Sequence, residues 1–336
     1  MIRGIDHLKC FHTIVRTHCQ FGCTSAAVAL VLTLCCSSPA IPQAPDVPLP
    51  QGQANASTLQ AAKKLIDADQ YTQASAALRL FLQTDQHSAP AHTMLAYCLL
   101  RMDDPKGSLA EYTRAASIER PSAVDLQNVA KDYALLSDLS DADHWMVLAV
   151  QMNQNDPEGW YGLGRIRYSQ QRFQDAADCF QRALVLSARS VKAENNLGLA
   201  FEGLNRTADA VAAYRQAIAW QQDSPHPSEQ PLLNLGIALL HQGKLPQAQD
   251  LLTRAAAIAP CDPSIREQLG HLYLQLNQLG NAQQQFEQAI ALSPQNPALH
   301  FLLGRVYRAE GEVQKSKVEF ARSAALSGYH STPSLN

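Results

Sequence analysis

Residues 193–204, "AENNLGLAFEGL", read as a helix, yet Gly198 sits in the middle of the stretch with Asn195 and Asn196 just before it. A glycine inside a helix costs about 1 kcal/mol relative to alanine. Asparagine is a poor interior residue because its side chain competes for backbone hydrogen bonds. A helix that keeps all three needs a reason outside its own propensity.

The reason is a repeat. "GWYGLGRIRYSQQRFQDAADCFQRAL" from residue 159, "PLLNLGIALLHQGKLPQAQDLLTRAA" from 231, "IREQLGHLYLQLNQLGNAQQQFEQAI" from 265 and "LHFLLGRVYRAEGEVQKSKVEFARSA" from 299 place a Leu-Gly pair in one register. The spacing is 34 residues apart from a four-residue insertion, "PHPS" at 225–228. Eight units fit, starting at residues 55, 89, 123, 157, 191, 229, 263 and 297. Position eight is always Ala or Gly, from Ala62 to Gly304, and position twenty always Ala or Ser, from Ala74 to Ser316. Position twenty-four is always large and apolar: Leu78, Tyr112, Met146, Phe180, Tyr214, Leu252, Phe286 and Phe320. Position twenty-seven is small in seven of the eight, Phe81 being the exception. Two helices cross closely only where both lack bulk, so Gly198 gives up helix propensity to pack against Ala210 and Tyr214.

This 34-residue, helix–turn–helix pattern resembles the tetratricopeptide repeat family over residues 55–330. The resemblance implies an all-α fold, a right-handed superhelical solenoid of about eight units, each touching mainly its neighbours. It also implies that positions two, five, six, nine, twelve and thirteen of each first helix face a groove. Carried over, position six gives Asn128, Asn196 and Asn234, whose amides offer both donor and acceptor to a peptide backbone. Other groove positions hold Lys131, Tyr161, Arg165, Tyr168 and Lys192, two rings and three cations suited to an acidic or carboxy-terminal peptide. The family's carboxylate clamp is not reproduced. Its five positions hold Gln127, Lys131, Gly162, Lys192 and Asn196, of which Lys192 alone matches in kind and place.

Composition agrees with a folded binding module. Of 336 residues, 46% are hydrophobic and 17% charged, enough apolar content for a large core. Net charge is −3, with +2 in the first forty residues and −5 in the rest. An acidic body argues against nucleic acid as partner. The sequence holds no Gly-rich phosphate loop, H-E-x-x-H or G-x-S-x-G motif, so no enzyme activity and no cofactor are expected. His241 and His271 occupy groove positions of neighbouring units, but no carboxylate or thiol stands at matching spacing, and no metal site is expected.

The amino terminus differs from the repeats. Residues 17–45 contain no Lys, Arg, Asp or Glu, and 26–36, "AAVALVLTLCC", form an apolar run behind Arg3, Lys9 and Arg16. With "SPA" at 38–40, residues 1–40 read as a signal peptide cleaved after Ala40, which places the protein in a bacterial periplasm or outside the cell. The alternative is an uncleaved membrane anchor at residues 21–38. A lipid anchor on Cys35 or Cys36 is disfavoured, because Leu34 and Cys35 precede them where Gly or Ala is usual. Five prolines between Pro39 and Pro50 make residues 41–54 an extended tether, and residues 331–336 a tail. The expectation is an exported scaffold that binds proteins or peptides in its groove. The alternative is a structural component of an envelope complex, acting through array edges or oligomerisation.

Overall fold

A computed structural model describes residues 51–328. The leader and the tail at 331–336 lie outside the described residues, as does most of the tether. Residues 51–54 belong to the first helix, which begins at Gln51, four residues before the start expected of the first unit.

Sixteen helices and no strand are present among the described residues. The first helices of the eight units are α1 (Gln51–Asp67), α3 (Ala89–Arg101), α5 (Ala123–Leu135), α7 (Pro157–Ser169), α9 (Val191–Gly203), α11 (Gln230–His241), α13 (Pro263–Gln275) and α15 (Pro297–Ala309). The second helices are α2 (Tyr71–Thr84), α4 (Pro105–Ile118), α6 (Leu139–Met152), α8 (Phe173–Leu186), α10 (Thr207–Trp220), α12 (Leu245–Ile258), α14 (Leu279–Leu292) and α16 (Val313–Leu326). Every second helix begins at position seventeen of its unit, across the four-residue insertion as elsewhere. The fold is an all-α repeat solenoid.

The boundaries follow from local chemistry. Asp104, Ser122, Asp156, Asp262 and Asn296 cap helices, each side chain accepting from a first-turn N–H, and Ser122 and Asp125 form a capping box. The turn inside every unit ends its first helix in the same way. Position fifteen has positive φ in all eight units: Asp69, Asp103, Ser137, Gln171, Asn205, Gly243, Asn277 and Gly311. The next N–H returns to the carbonyl five residues earlier, as in Gln70 to Leu65 at 2.8 Å and Arg206 to Phe201 at 2.8 Å. This closes the left-handed helix stop that Gly, Asn and Asp adopt at least cost.

The small positions lie where the repeat requires them. A methyl group built on Gly164 would lie 2.6 Å from Phe180, and one on Gly270 2.5 Å from Phe286. The same ring or branched side chain meets Gly198 (Tyr214), Gly236 (Leu252) and Gly304 (Phe320). Position twenty-four thus lies directly over position eight of its own unit. Tyr214, Phe180, Phe286 and Leu252 are fully buried, so the ring has nowhere to retreat.

The helices divide into two bodies, one ending at Ala149 and the other starting at Val150. In the first, α1, α3 and α5 touch in succession, and Ala62, Ala74, Leu78, Phe81, Leu95 and Leu99 form a core. In the second, α7, α9, α11 and α13 touch in succession above a core running from Ala176 to Leu272, with a further cluster around Phe286 and Val306. The insertion before α11 is held shut by Gln221, whose amide donates to the Ser228 carbonyl at 2.7 Å and accepts from the Ser228 N–H at 2.9 Å.

Candidate peptide-binding face

In the second body, α7 and α9 carry five of the residues expected in the groove, and the structure brings four of them together. Tyr161 is the centre. Lys192 Nζ sits over its ring at 4.8 Å and the Arg165 guanidinium 6.0 Å from its centroid. Asn196 Nδ2 donates to the Tyr161 hydroxyl at 3.1 Å and to the Lys192 carbonyl at 2.8 Å. Burial pushes the Tyr161 hydroxyl above its ordinary pKa, so it stays neutral and able to donate. Lys192 also pairs with Glu158 at 2.6 Å, an ion pair exposed on both sides. Such a pair contributes on the order of 1 kcal/mol or less, so an incoming carboxylate competes for Lys192 at small cost.

The remaining candidates are placed differently. Tyr168 lies two turns along α7 from Tyr161 and packs edge-on against Phe173 at 5.4 Å, with burial raising its pKa. Asn234 does not extend a row with Asn196. Its Nδ2 donates to Oδ1 of the buried Asn195 at 2.9 Å, joining α11 to α9. In the first body, Asn128 is 4% exposed, with Nδ2 on the Tyr112 hydroxyl at 3.0 Å and Oδ1 accepting from Lys131 at 3.0 Å. The three position-six asparagines therefore differ in what holds their amides. Asn128 spends its amide on the fold, and Asn234 ties two first helices together. Asn196 stands beside Tyr161, with Lys192 and Arg165 against the same ring.

Two family models match the chain, a TPR repeat model over residues 270–311 and a tetratricopeptide repeat model over 161–227. The chain is a tetratricopeptide repeat protein. Over 109 residues it is 29% identical to the peroxisomal targeting signal receptor of Kluyveromyces lactis, a match covering 32% of this chain and 18% of that receptor. Among solved structures it is similar to a tetratricopeptide repeat protein from Parabacteroides merdae, with a TM-score of 0.62 and 16% identity over 76% of this chain and 99% of that one. It is also similar to a chain of the Cut9-Hcn1 hetero-tetramer of APC/C, with a TM-score of 0.59 and 16% identity over 82% of this chain and 54% of that one. At these identities the structural likeness is one of fold.

The tetratricopeptide array also holds polar groups that the repeat reading left unassigned. His92 Nδ1 meets Glu111 Oε2 at 2.6 Å and Nε2 meets the Gln86 carbonyl at 3.0 Å, while Arg114 pairs with the same carboxylate. His300, Glu319 and Arg322 repeat the arrangement at 2.6, 3.2 and 3.3 Å in the last unit. Both sets occupy positions four, twenty-three and twenty-six. Trp160 and Arg266, also at position four, likewise donate to the carbonyl six residues earlier, at 2.9 and 3.3 Å. The legible signal was a buried His at position four together with Glu at twenty-three. Glu158 was missed as well, although it precedes Lys192 by one 34-residue period. Among the described residues no group of His, Cys, Asp and Glu is arranged to hold a metal, and no helix is long and apolar enough to cross a membrane.

Proposed function

We propose that this protein is a non-catalytic scaffold and that the first-helix face of α7 and α9 binds an extended acidic segment of a partner protein. The observation that carries the reading is the patch around Tyr161, where Lys192, Arg165 and Asn196 converge on one ring and Glu158 pairs with Lys192. The helices beneath it are packed, so the receptor loses little freedom on binding. Charge-assisted bonds from two cations favour a carboxylate, and Asn196 Oδ1, whose own Nδ2 is held by Tyr161 and the Lys192 carbonyl, can accept from a peptide N–H without reading its side chain. The test is fluorescence anisotropy of the full chain with labelled acidic, neutral and basic peptides, repeated with Arg165→Ala plus Lys192→Ala. The acidic peptide should bind tightest and lose about tenfold or more in the variant. Equal binding of all three peptides, or no effect of the double substitution, overturns it.

We also propose export, with removal of residues 1–40. The apolar run at 26–36 behind basic residues supports it. Amino-terminal sequencing of the protein from its native host should begin at Ile41, and a chain that retains Met1 argues for the anchored form instead.

A second reading, assembly through an array edge, is favoured by Phe301 on α15, 49% exposed and 5.5 Å from the Phe320 ring. Light scattering across a concentration series decides it. A mass that rises with concentration and falls back with Phe301→Asp supports assembly, and a constant monomer mass removes it.

A further inference from the structure

We propose that the cleft between α2 and α4, floored by α3, is a second binding site, one that takes a small carboxylate on an apolar stem. This inference is independent of the peptide-binding face, because it uses other residues in the first body. The cleft holds about 460 Å³, within the ordinary range of small-ligand sites. Its apolar part is Leu82, Leu95 and Ile118. Its cations are Arg79 from α2 and Arg114 from α4, and His87 joins them from the loop between α2 and α3.

The charges do not cancel internally. Glu111 is the only carboxylate lining the cleft, and it is already engaged from two sides, by His92 at 2.6 Å and by Arg114. Arg79 and His87 are exposed at the rim and take part in no ion pair or hydrogen bond among the described residues. An unpaired guanidinium beside apolar surface is the arrangement that recognises a carboxylate by two parallel bonds while its neighbours cover a hydrocarbon stem. The fixed negative charge of Glu111 disfavours a dianion, which selects a carboxylate over a phosphate monoester. The His–Glu–Arg frame alone does not create this chemistry. In the last unit the same frame recurs with His300, Glu319 and Arg322, but Glu287 stands at the register position of Arg79 and accepts from the Tyr307 hydroxyl at 2.9 Å. Gln295 likewise replaces His87 there. The cationic form belongs to the first two units.

The test is ligand-detected NMR titration of the full chain with N-acetyl-leucine, N-acetyl-leucinamide and inorganic phosphate. N-acetyl-leucine should bind, with the amide about tenfold weaker. Arg79→Gln should lose the preference for the carboxylate, and Arg79→Lys should restore part of it. Because Arg79 is exposed and unpaired, both variants should keep the wild-type helical dichroism and melting temperature. Lys192→Ala should leave binding unchanged, which separates this site from the peptide-binding face. The proposal is overturned by absence of N-acetyl-leucine binding, by equal binding of acid and amide, or by indifference to Arg79→Gln. It is equally overturned if inorganic phosphate competes as strongly as the carboxylate, or if Lys192→Ala abolishes binding.

Discussion

The Tyr214 ring occupies the space that a side chain on Gly198 would fill, and the ring itself is fully buried. The helix-weakening glycine is therefore a packing requirement of the pair α9–α10. Gly198→Leu should lower stability by about 1–3 kcal/mol through overpacking, beyond the propensity it gains. Thermal melts should show a reduced midpoint with the far-ultraviolet spectrum still helical. An unchanged midpoint contradicts the placement of the ring.

Asn234 and Asn195 make a different kind of contact, one polar pair joining successive first helices. Asn234→Ala should cost about 1–3 kcal/mol, because it leaves the carbonyl of the buried Asn195 without its donor. Replacing both by leucine should cost less than the single change, since neither polar group is then stranded. Urea unfolding of the single and double variants gives the comparison. Because Asn234 supports the fold, loss of a partner on its substitution says nothing by itself about contact.

Asp132 on α5 is fully buried, accepts from the Ser108 hydroxyl at 2.6 Å, and leaves Oδ1 without a hydrogen bond. Burial raises its pKa from 3.8 to about 7. An acid whose folded pKa lies above its unfolded value favours folding while protonated. Its contribution is present below about pH 4 and is lost as pH rises through 7. At about 1.4 kcal/mol for each tenfold change in proton affinity, the ceiling is about 4 kcal/mol. Wild type should therefore be more stable near pH 5 than near pH 8, and Asp132→Asn should remove most of that difference. Urea midpoints at the two pH values test it, and equal slopes with pH in the two proteins count against the assignment.

Gln171 holds the left-handed conformation at the turn between α7 and α8, with φ of 61°, where Gly243 and Gly311 serve other units. An ordinary residue costs about 1–2 kcal/mol there. Gln171→Gly should raise stability by up to about 1 kcal/mol, the unfolded chain's greater freedom offsetting part of the gain. Gln171→Val should lower it. The pair of melting temperatures tests the sign in both directions.

The periodicity of small and large residues was enough to find eight helix pairs, with most first helices beginning where their units do, because each constraint is a steric one inside a single unit. Residues 55 and 229 are the exceptions: α1 starts at Gln51 and α11 at Gln230. Helix starts there depend on capping and on neighbouring chain rather than on the crossing. The turn at position fifteen was also visible in principle, through its Asp, Asn and Gly. The candidate binding residues were legible only as positions on a helix face. Register places Asn128, Asn196 and Asn234 alike, yet one is buried on Tyr112, one lies beside Tyr161 and one bonds Asn195.

The amino-acid sequence by itself determined the repeat, the pairing of helices and the family, since side-chain volume at fixed intervals acts locally and survives without knowledge of neighbours. Tertiary structure alone decided which amides are spent on the fold, that Lys192 pairs with Glu158, that Asp132 is sealed away from water, and that Arg79 and Arg114 share one cleft. Those outcomes depend on distance and burial between different helices, and electrostatic and hydrogen-bond energies change with both far more steeply than residue type can encode.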